Sequence, residues 1–244
     1  YHDVSMHIGY KIVHKDVSYS EIETKKVKRK ASITKNEHFR NLLSQAHSNK
    51  VLFEWVLADN WFGSKENLEY INNVIKKKFI IGIKSNRTVA LSEKEKLKGD
   101  FTKVSKLDLE DGQSIKVWVK GIDFALQLIK KVFTNEDSSK GVLYIISNDL
   151  KHGADYLYMI YQKRWKIELY HKSIKQNASL AASPTKRVLS QANHIFSSLV
   201  AFCKLELLKI KTAANHFAIK HLLLLKANQA AFLELQSLKN SSWA

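Results

Sequence analysis

Two apolar runs, VLFEWVLA at residues 51–58 and FIIGI at residues 79–83, decide the fold of this chain. Both runs are rich in β-branched and aromatic residues and are typical of inner strands. Between them, Ser64 can cap a helix carried by residues 66–75. A strand, a helix and a strand in this order predict a crossover unit with parallel strands, and hence an α/β domain. Asp59 stands at the carboxyl end of the first strand, where ligands collect in an open α/β sheet.

The composition changes after this unit. Residues 85–140 are rich in charged and turn residues, and their short alternating runs predict a mostly antiparallel β insertion. The apolar run GVLYIIS at residues 141–147 then predicts a buried strand that resumes the main sheet. We therefore expect a first part of the core at 1–84, a β-rich insertion at 85–140, a second part of the core at 141–212 and a helical tail at 213–244.

Shorter patterns predict further elements near the start of the chain. A turn at His2-Asp3 and the alternation of residues 7–13 predict a strand. Thr34 followed by Glu37 is typical of a capping box, and it predicts a helix that runs to about His47.

A helix expected after residue 149 carries an informative set of side chains. At about 100° per residue, Tyr161, Arg164, Glu168 and Lys175 fall within roughly 60° of one helical face. The carboxylate can hold a hard divalent cation while the two cations hold phosphate oxygens. A solvated helix face with i,i+4 ion pairs accounts for the same residues, so the pattern alone leaves both interpretations open.

The rest of the carboxyl-terminal part is predicted to be helical. Pro184 is the only proline of the chain, and we expect it to end the preceding helix. Thr185 then starts an amphipathic helix that runs through Ile210, and a less regular helical tail reaches about residue 236.

The chain is strongly basic. Its 40 Lys and Arg residues against 23 Asp and Glu residues give a formal net charge of +17. A surface this basic favours an anionic partner, and nucleic acid is the commonest one. The run Lys25–Lys30, which includes Arg29, is either a DNA-phosphate contact or a solvated loop. It leads into the helix that Lys35 begins, and Lys35 is a further candidate for contacting DNA.

Other composition signals narrow the class of protein. Cys203 is the only cysteine, so the sequence supports neither a disulfide framework nor a zinc cluster. A single cysteine fits a protein of the reducing cytoplasm. The apolar runs fall short of the roughly 20 residues of a membrane span, and we expect no membrane partner.

Asp59 and Glu168 are the candidate metal ligands. Carboxylates that hold a pair of divalent metals activate water or a hydroxyl for in-line attack on a phosphodiester. We therefore expect Mg²⁺ or Mn²⁺ as the cofactor. For Asp59 by itself, a turn or helix-capping role is the competing interpretation, because Asp before a helix is common.

The Tyr161, Arg164, Glu168 and Lys175 spacing, Y-x2-R-x3-E-x6-K, resembles the signature of bacterial insertion-sequence transposases of the DDE type. The segment VLADNWFGS at residues 56–64 is similar to the second-aspartate segment of that group, and the resemblance covers about residues 25–208. It implies a ribonuclease-H-like mixed sheet with flanking helices and a β-rich insertion. It also implies cut-and-paste cleavage and joining of double-stranded DNA at terminal inverted repeats.

The resemblance also implies roles for individual residues. Asp59 and Glu168 would be catalytic metal ligands, Arg164 and Lys175 would hold DNA phosphates, and Tyr161 would position the terminal phosphate. Trp118 in the insertion would stack on an extruded base, with ordinary packing as the alternative. Transposases of this kind are similar to one another in acting as dimers, so the resemblance also implies a homodimer in the complex with DNA.

One family feature has no counterpart here. The first catalytic aspartate of the family lies on the first strand of the core, and neither Asp3 nor Asp16 stands at the end of an inner strand. We therefore expect an amino-terminally incomplete core that binds DNA and does not cut it unaided.

Two other functions fit the residues. One is a metal-dependent nuclease or resolvase of related fold, which keeps the carboxylates and needs no element-end specificity. The other is a basic DNA- or RNA-binding protein in which Glu168 only pairs with Arg164.

Overall fold

The computed structural model describes residues 4–13, 15–23, 25–183 and 186–241. The chain divides into two compact units. Gly9–Arg164 form the larger unit, and the described residues of Tyr1–Ile8 and Trp165–Ala244 form the smaller unit.

A two-stranded antiparallel hairpin opens the larger unit. It pairs β1 (Val17–Ser20) with β2 (Val27–Lys30), and all of its side chains are exposed. The basic run at residues 25–30 is therefore mostly a strand, although its composition left a solvated loop open.

A seven-stranded mixed sheet is the framework of the larger unit. The strands are β3 (Trp55–Ala58), β4 (Lys78–Ile83), β5 (Thr88–Ala90), β6 (Thr102–Lys103), β7 (Ser114–Val119), β8 (Leu126–Thr134) and β9 (Lys140–Ser147). The parallel pair is β3 with β4, as the crossover pattern predicted, and each of the other pairings is antiparallel. The order across the sheet is β3-β4-β9-β8-β7-β5-β6, so the strands of residues 85–140 join the same sheet as β4 and β9.

The helices of the larger unit include the crossover between β3 and β4. The helices are α1 (Lys35–Ser48), α2 (Lys65–Glu69), α3 (Glu93–Lys98) and α4 (Ala154–Gln162). The crossover is α2, which continues as a single π-helical turn, Tyr70–Ile75. The capping box of α1 is confirmed, since Thr34 Oγ1 accepts from the Glu37 N–H at 3.1 Å and Glu37 Oε2 accepts from the Thr34 N–H at 2.6 Å.

The core lies on both faces of the central strands. In β4, Phe79 and Ile81 pack into one apolar cluster and Ile80 into a second, because successive strand residues point to opposite faces. Leu157 and Tyr161 of α4 complete the second cluster. Phe79, Ile80 and Ile81 are fully buried, and each contributes about 1.5–3 kcal/mol through the transfer of its side chain from water.

The smaller unit is helical. It contains α5 (Lys166–Gln176), α6 (Val188–Thr212) and α7 (His216–Ser241), and Ala213 in the left-handed conformation (φ 55°) ends α6. None of the helices among the described residues has both the length and the apolar character needed to cross a membrane.

The strand predicted at residues 7–13 is wrong. Residues 4–13 contain neither a helix nor a strand, and the predicted turn at His2-Asp3 lies outside the described residues. Alternation supplies one apolar face, but a strand also needs a partner for its backbone hydrogen bonds.

The continuous helix predicted through residues 161–175 is also wrong. Tyr161 ends up in α4, Arg164 in a 3₁₀ turn at Lys163–Trp165, and Glu168 and Lys175 in α5. Because a 3₁₀ turn advances about 120° per residue, the angles calculated for one α-helix do not apply across it.

Pro184 does not end this helical segment. The segment stops at Gln176, and Ser179 follows in the left-handed conformation (φ 59°). Pro184 and Thr185 lie outside the described residues, and the described part of the next helix begins at Val188.

Candidate active site

Asp59 directly follows β3 and is exposed. Its Oδ1 accepts a hydrogen bond from the Trp61 N–H at 2.9 Å, so the carboxylate caps the 3₁₀ turn at Asn60–Phe62. The capping role that the sequence left open is therefore present. It also fixes the direction of the carboxylate, because one oxygen is held by the backbone of its own turn.

Two glycines allow the Asp59 turn to lie against β4. A Cβ on Gly82 would be 2.9 Å from Asn60 N and 3.2 Å from the Tyr161 hydroxyl oxygen. A Cβ on Gly63 would be 2.8 Å from the Gly82 carbonyl oxygen. Sequence reasoning missed the role of Gly82, although a glycine inside an apolar strand indicates a close backbone approach.

Polar side chains hold the far end of this turn. Asn67 donates to the Phe62 carbonyl at 3.0 Å and accepts from Arg40 at 2.8 Å. Arg87 donates to the Gly63 carbonyl at 2.8 Å. Because Asn67 is fully buried, these bonds are shielded from water, and the backbone after Asp59 is fixed at both ends.

Tyr161 and Arg164 lie on the same side of β4 as this turn. The Tyr161 side chain is buried, and its hydroxyl is the group next to Gly82. The Arg164 Cζ atom lies 5.6 Å from the centroid of the Tyr161 ring. Burial raises the pKa of Tyr161, the hydrogen bond and charge of Arg164 oppose that rise, and the negative charge of Asp59 adds to it. The Tyr161 hydroxyl therefore lies within electrostatic reach of both Asp59 and Arg164.

Lys35 also reaches this region. It begins α1, and its Nζ lies 5.5 Å from the centroid of the Trp61 ring, which is 58% exposed. Trp61 is two residues after Asp59, so a lysine over its exposed ring places a cation and a stacking surface beside the Asp59 turn. Trp61 was not singled out from the sequence.

Glu168 and Lys175 belong to the smaller unit. Both are exposed residues of α5, with Glu168 in its first turn and Lys175 in its last turn. Seven residues separate them, so they share one face of α5 about 10.5 Å apart along the axis. The predicted pairing of Glu168 with Asp59 remains a prediction, because these residues belong to different units.

Arg29 and Trp118 belong to other elements of the larger unit than the Asp59 turn. Arg29 is an exposed residue of β2 in the hairpin. Trp118 is half-buried in β7, and Lys116 Nζ lies 5.0 Å from its ring centroid. β7 is four strands from β3, which is about 19 Å at the usual spacing of roughly 4.8 Å.

The donor set has the right chemistry for Mg²⁺ or Mn²⁺ but is small. Among residues 4–13, 15–23, 25–183 and 186–241, no group of three or more His, Cys, Asp or Glu side chains could hold a metal ion. Mg²⁺ commonly binds one or two carboxylates and retains several waters. Asp59 and Glu168 are carboxylates, the kind of protein ligand that Mg²⁺ prefers.

The sequence predicted an inner strand at residues 51–58, but β3 lies at one edge of the seven-stranded sheet, because β4 is its only partner strand among the described residues. Asp59 still follows the end of that strand, where ligands collect in α/β sheets, and the net charge of +17 favours an anionic partner. The sequence profile of the transposase DDE domain family matches residues 16–203, about three quarters of the chain. The chain therefore belongs to the transposase DDE domain family. No curated protein matches it. Membership supports a transposase function with DNA as the partner.

Proposed function

We propose that this chain carries a ribonuclease-H-like core of an insertion-sequence transposase, with Asp59 and Glu168 as metal ligands. The family match and the mixed sheet support this assignment. The exposed carboxylate of Asp59 at the end of β3, fixed by the Trp61 N–H and adjoined by Tyr161 and Arg164, is the observation that carries it.

Each residue has a defined task in this proposal. Asp59 is held in one orientation by its turn, so its second carboxylate oxygen can serve as a ligand. Arg164 and Lys175 hold phosphate oxygens, and the Tyr161 hydroxyl positions the terminal phosphate. A pair of Mg²⁺ or Mn²⁺ ions at Asp59 and Glu168 would activate the attacking water or hydroxyl for DNA cleavage and joining.

Further residues extend the DNA contact. Lys35 lies beside the Asp59 turn, and Arg29 lies in the exposed hairpin, so both are proposed to contact phosphates. Trp118 is proposed to stack on an extruded base at a second position along the DNA, since β7 is distant from β3. We propose terminal inverted repeats as the substrate, a homodimer as the working complex and the cytoplasm as its location.

Calorimetric titration of Mg²⁺ or Mn²⁺ into the 244-residue chain with a short duplex tests the metal site directly. We expect metal binding that is lost in Asp59→Asn and in Glu168→Gln, because each variant removes a ligand charge. Asp123→Asn is the matched control, since its side chain is 97% exposed and lies in the loop before β8. Metal binding that persists in both site variants would contradict the proposal.

The choice of DNA separates a transposase from its alternatives. A transposase binds a duplex ending in its terminal inverted repeat more tightly than a random duplex, whereas a general nuclease binds both alike. A binding protein without chemistry binds DNA with an affinity that does not depend on Mg²⁺ and does not change in Glu168→Gln. Robust metal-dependent nicking by this chain alone would contradict the expectation that it does not cut DNA unaided.

A further inference from the structure

The smaller unit contains a cavity of about 250 Å³ between α5, the second half of α6 and the start of α7. Pockets that hold drug-sized ligands enclose about 300–1,000 Å³, so this cavity suits a smaller group such as one planar heterocycle. It involves none of the residues assigned to the metal site.

A carboxylate and an imidazole line the cavity. Glu206 of α6 is 3% exposed and His216 of α7 is 7% exposed. His216 Nε2 lies 3.4 Å from Glu206 Oε1, and Ser173 Oγ lies 2.8 Å from His216 Nδ1. Asn177 donates to Ser173 Oγ at 3.1 Å, which leaves the serine hydroxyl free to donate to Nδ1. A neutral His216 therefore carries its proton on Nε2, facing Glu206.

The ionisation of His216 agrees with this tautomer. Burial lowers the pKa of His216, the charge of Glu206 opposes that effect, and the charge of Lys209 adds to it. The lowered pKa favours the neutral ring, in which Ser173 donates to Nδ1 and the Nε2 proton faces Glu206.

The Glu206 carboxylate retains acceptor capacity inside the cavity. Its Oε2 atom is buried and makes no hydrogen bond among the described residues, and the Lys209 Nζ atom lies 3.5 Å away. A buried carboxylate with an unmet acceptor is costly unless donors reach it. The cavity therefore favours a ligand that presents N–H donors to Glu206.

The other walls restrict the ligand further. The Tyr170 and Phe202 rings meet edge to face at 4.9 Å, and Phe217 adds a third aromatic ring. Lys166 and Lys172 also line the cavity, and Lys172 Nζ lies 5.7 Å from the Phe217 ring centroid. Together with Lys209 these lysines repel a guanidinium or ammonium ligand, but they attract a flat heterocycle that carries a phosphate.

We propose that this cavity binds a guanine base of the DNA, with Glu206 accepting from its N1–H and N2–H groups. Guanine is the natural DNA base with two adjacent donors on its Watson–Crick edge, whereas adenine, cytosine and thymine place acceptors beside their single donor position. The lysines then contact the phosphate attached to the base. The base must be unstacked or terminal, as in other proteins that take a base out of a duplex. The inference rests on the proposed DNA function and adds a base-specific subsite to it.

Titration of deoxynucleotides into the 244-residue chain tests the subsite. We expect dGMP to bind at least about tenfold more tightly than dIMP, dAMP, dCMP or dTMP, because dIMP lacks only the N2 amino group. Glu206→Gln should weaken dGMP binding by about tenfold and leave dIMP less affected. Glu234→Gln, an exposed change in α7, should leave both affinities unchanged.

A second variant separates the phosphate contact from the base contact. Lys172→Gln should weaken dGMP binding and leave deoxyguanosine binding unchanged. Equal affinities for dGMP and dIMP in the unmodified chain would overturn the inference, and this comparison does not depend on whether Glu206→Gln folds. Loss of guanine selectivity alongside intact metal binding at Asp59 and Glu168 would overturn only this inference. Guanine selectivity without that metal binding would overturn only the proposed metal site.

Discussion

At the residue scale, Gly82 determines whether the Asp59 turn can lie against β4. We expect Gly82→Ala to lower the free energy of unfolding by about 1–3 kcal/mol, because the new Cβ would meet backbone atoms of Asn60 that cannot rotate away. We also expect weaker metal binding at Asp59, since its turn must shift. Urea unfolding and metal titration measure the two effects.

Gly153→Ala is the control for this substitution. Nothing lies within 4 Å of a Cβ at Gly153, which precedes α4 with a φ of −72°. A change at this position should leave metal binding unaltered. Equal losses of metal affinity in the two variants would contradict the role assigned to Gly82.

Asp149 is a buried charge that the sequence pattern did not reveal. Its side chain is 1% exposed and lies 3.1 Å from Lys78 Nζ and 2.8 Å from His152 Nδ1. Burial alone would raise the pKa of Asp149, but the Lys151 N–H, His152 and Lys78 lower it to about 2. Asp149, which follows the end of β9, therefore stabilises the fold in its ionised form.

Asp149→Asn should lower the free energy of unfolding at pH 7 by about 2 kcal/mol. A lowered carboxyl pKa contributes stability that is fully present above the unfolded value of about 3.8 and is lost as pH falls through about 2. The difference between the variant and the unmodified chain should therefore shrink between pH 4 and pH 2. Urea unfolding across this range measures it, and a difference that is constant with pH would show that packing rather than charge is responsible.

At the element scale, we propose that the hairpin contacts DNA phosphates without sequence specificity. Arg29 and Lys30 lie in β2, and their side chains are exposed. We expect the double variant Arg29→Gln with Lys30→Gln to reduce the slope of log affinity against log salt by about 2, because each phosphate contact releases about 0.9 counterion. Binding of a duplex between 50 and 200 mM salt measures the slope.

A pair of lysines in α3 provides the matched control. Lys94→Gln with Lys98→Gln removes the same net charge from another exposed element. If this pair lowers the slope as much as the hairpin pair does, the effect belongs to the total charge of the chain and not to the hairpin.

At the scale of the whole molecule, the division after Arg164 predicts that the larger unit folds by itself. Residues 9–164 hold the seven-stranded sheet and both of its apolar clusters. We expect a fragment of these residues to unfold cooperatively by itself, with far-ultraviolet circular dichroism following the transition.

A shorter fragment tests whether cooperative unfolding of the larger unit requires β9. Residues 9–139 lack β9, which is hydrogen-bonded to β4 on one side and to β8 on the other. Loss of β9 separates the sheet into two parts, so this fragment should show no cooperative transition. A cooperative 9–139 fragment would mean that the sheet does not depend on its central strand.

Local patterns predicted many elements correctly. The two apolar runs gave β3 and β4, the Thr34 and Glu37 pair gave the start of α1, and the run at 141–147 gave β9. These elements were readable because neighbouring residues specify each one through burial, propensity or capping. The strand predicted at residues 7–13 was wrong, because an alternating pattern does not supply a partner strand.

The sequence by itself determined the mixed α/β class, the parallel crossover, the position of Asp59 at a strand end and the basic character that favours DNA. Only the tertiary structure revealed the contact of Gly82 with the Asp59 turn, the break between Tyr161 and Glu168, and the buried Glu206 beside His216. Periodicity reports which way a residue points within its own element. Distances between elements depend on packing among residues far apart in the chain, and no local pattern encodes them.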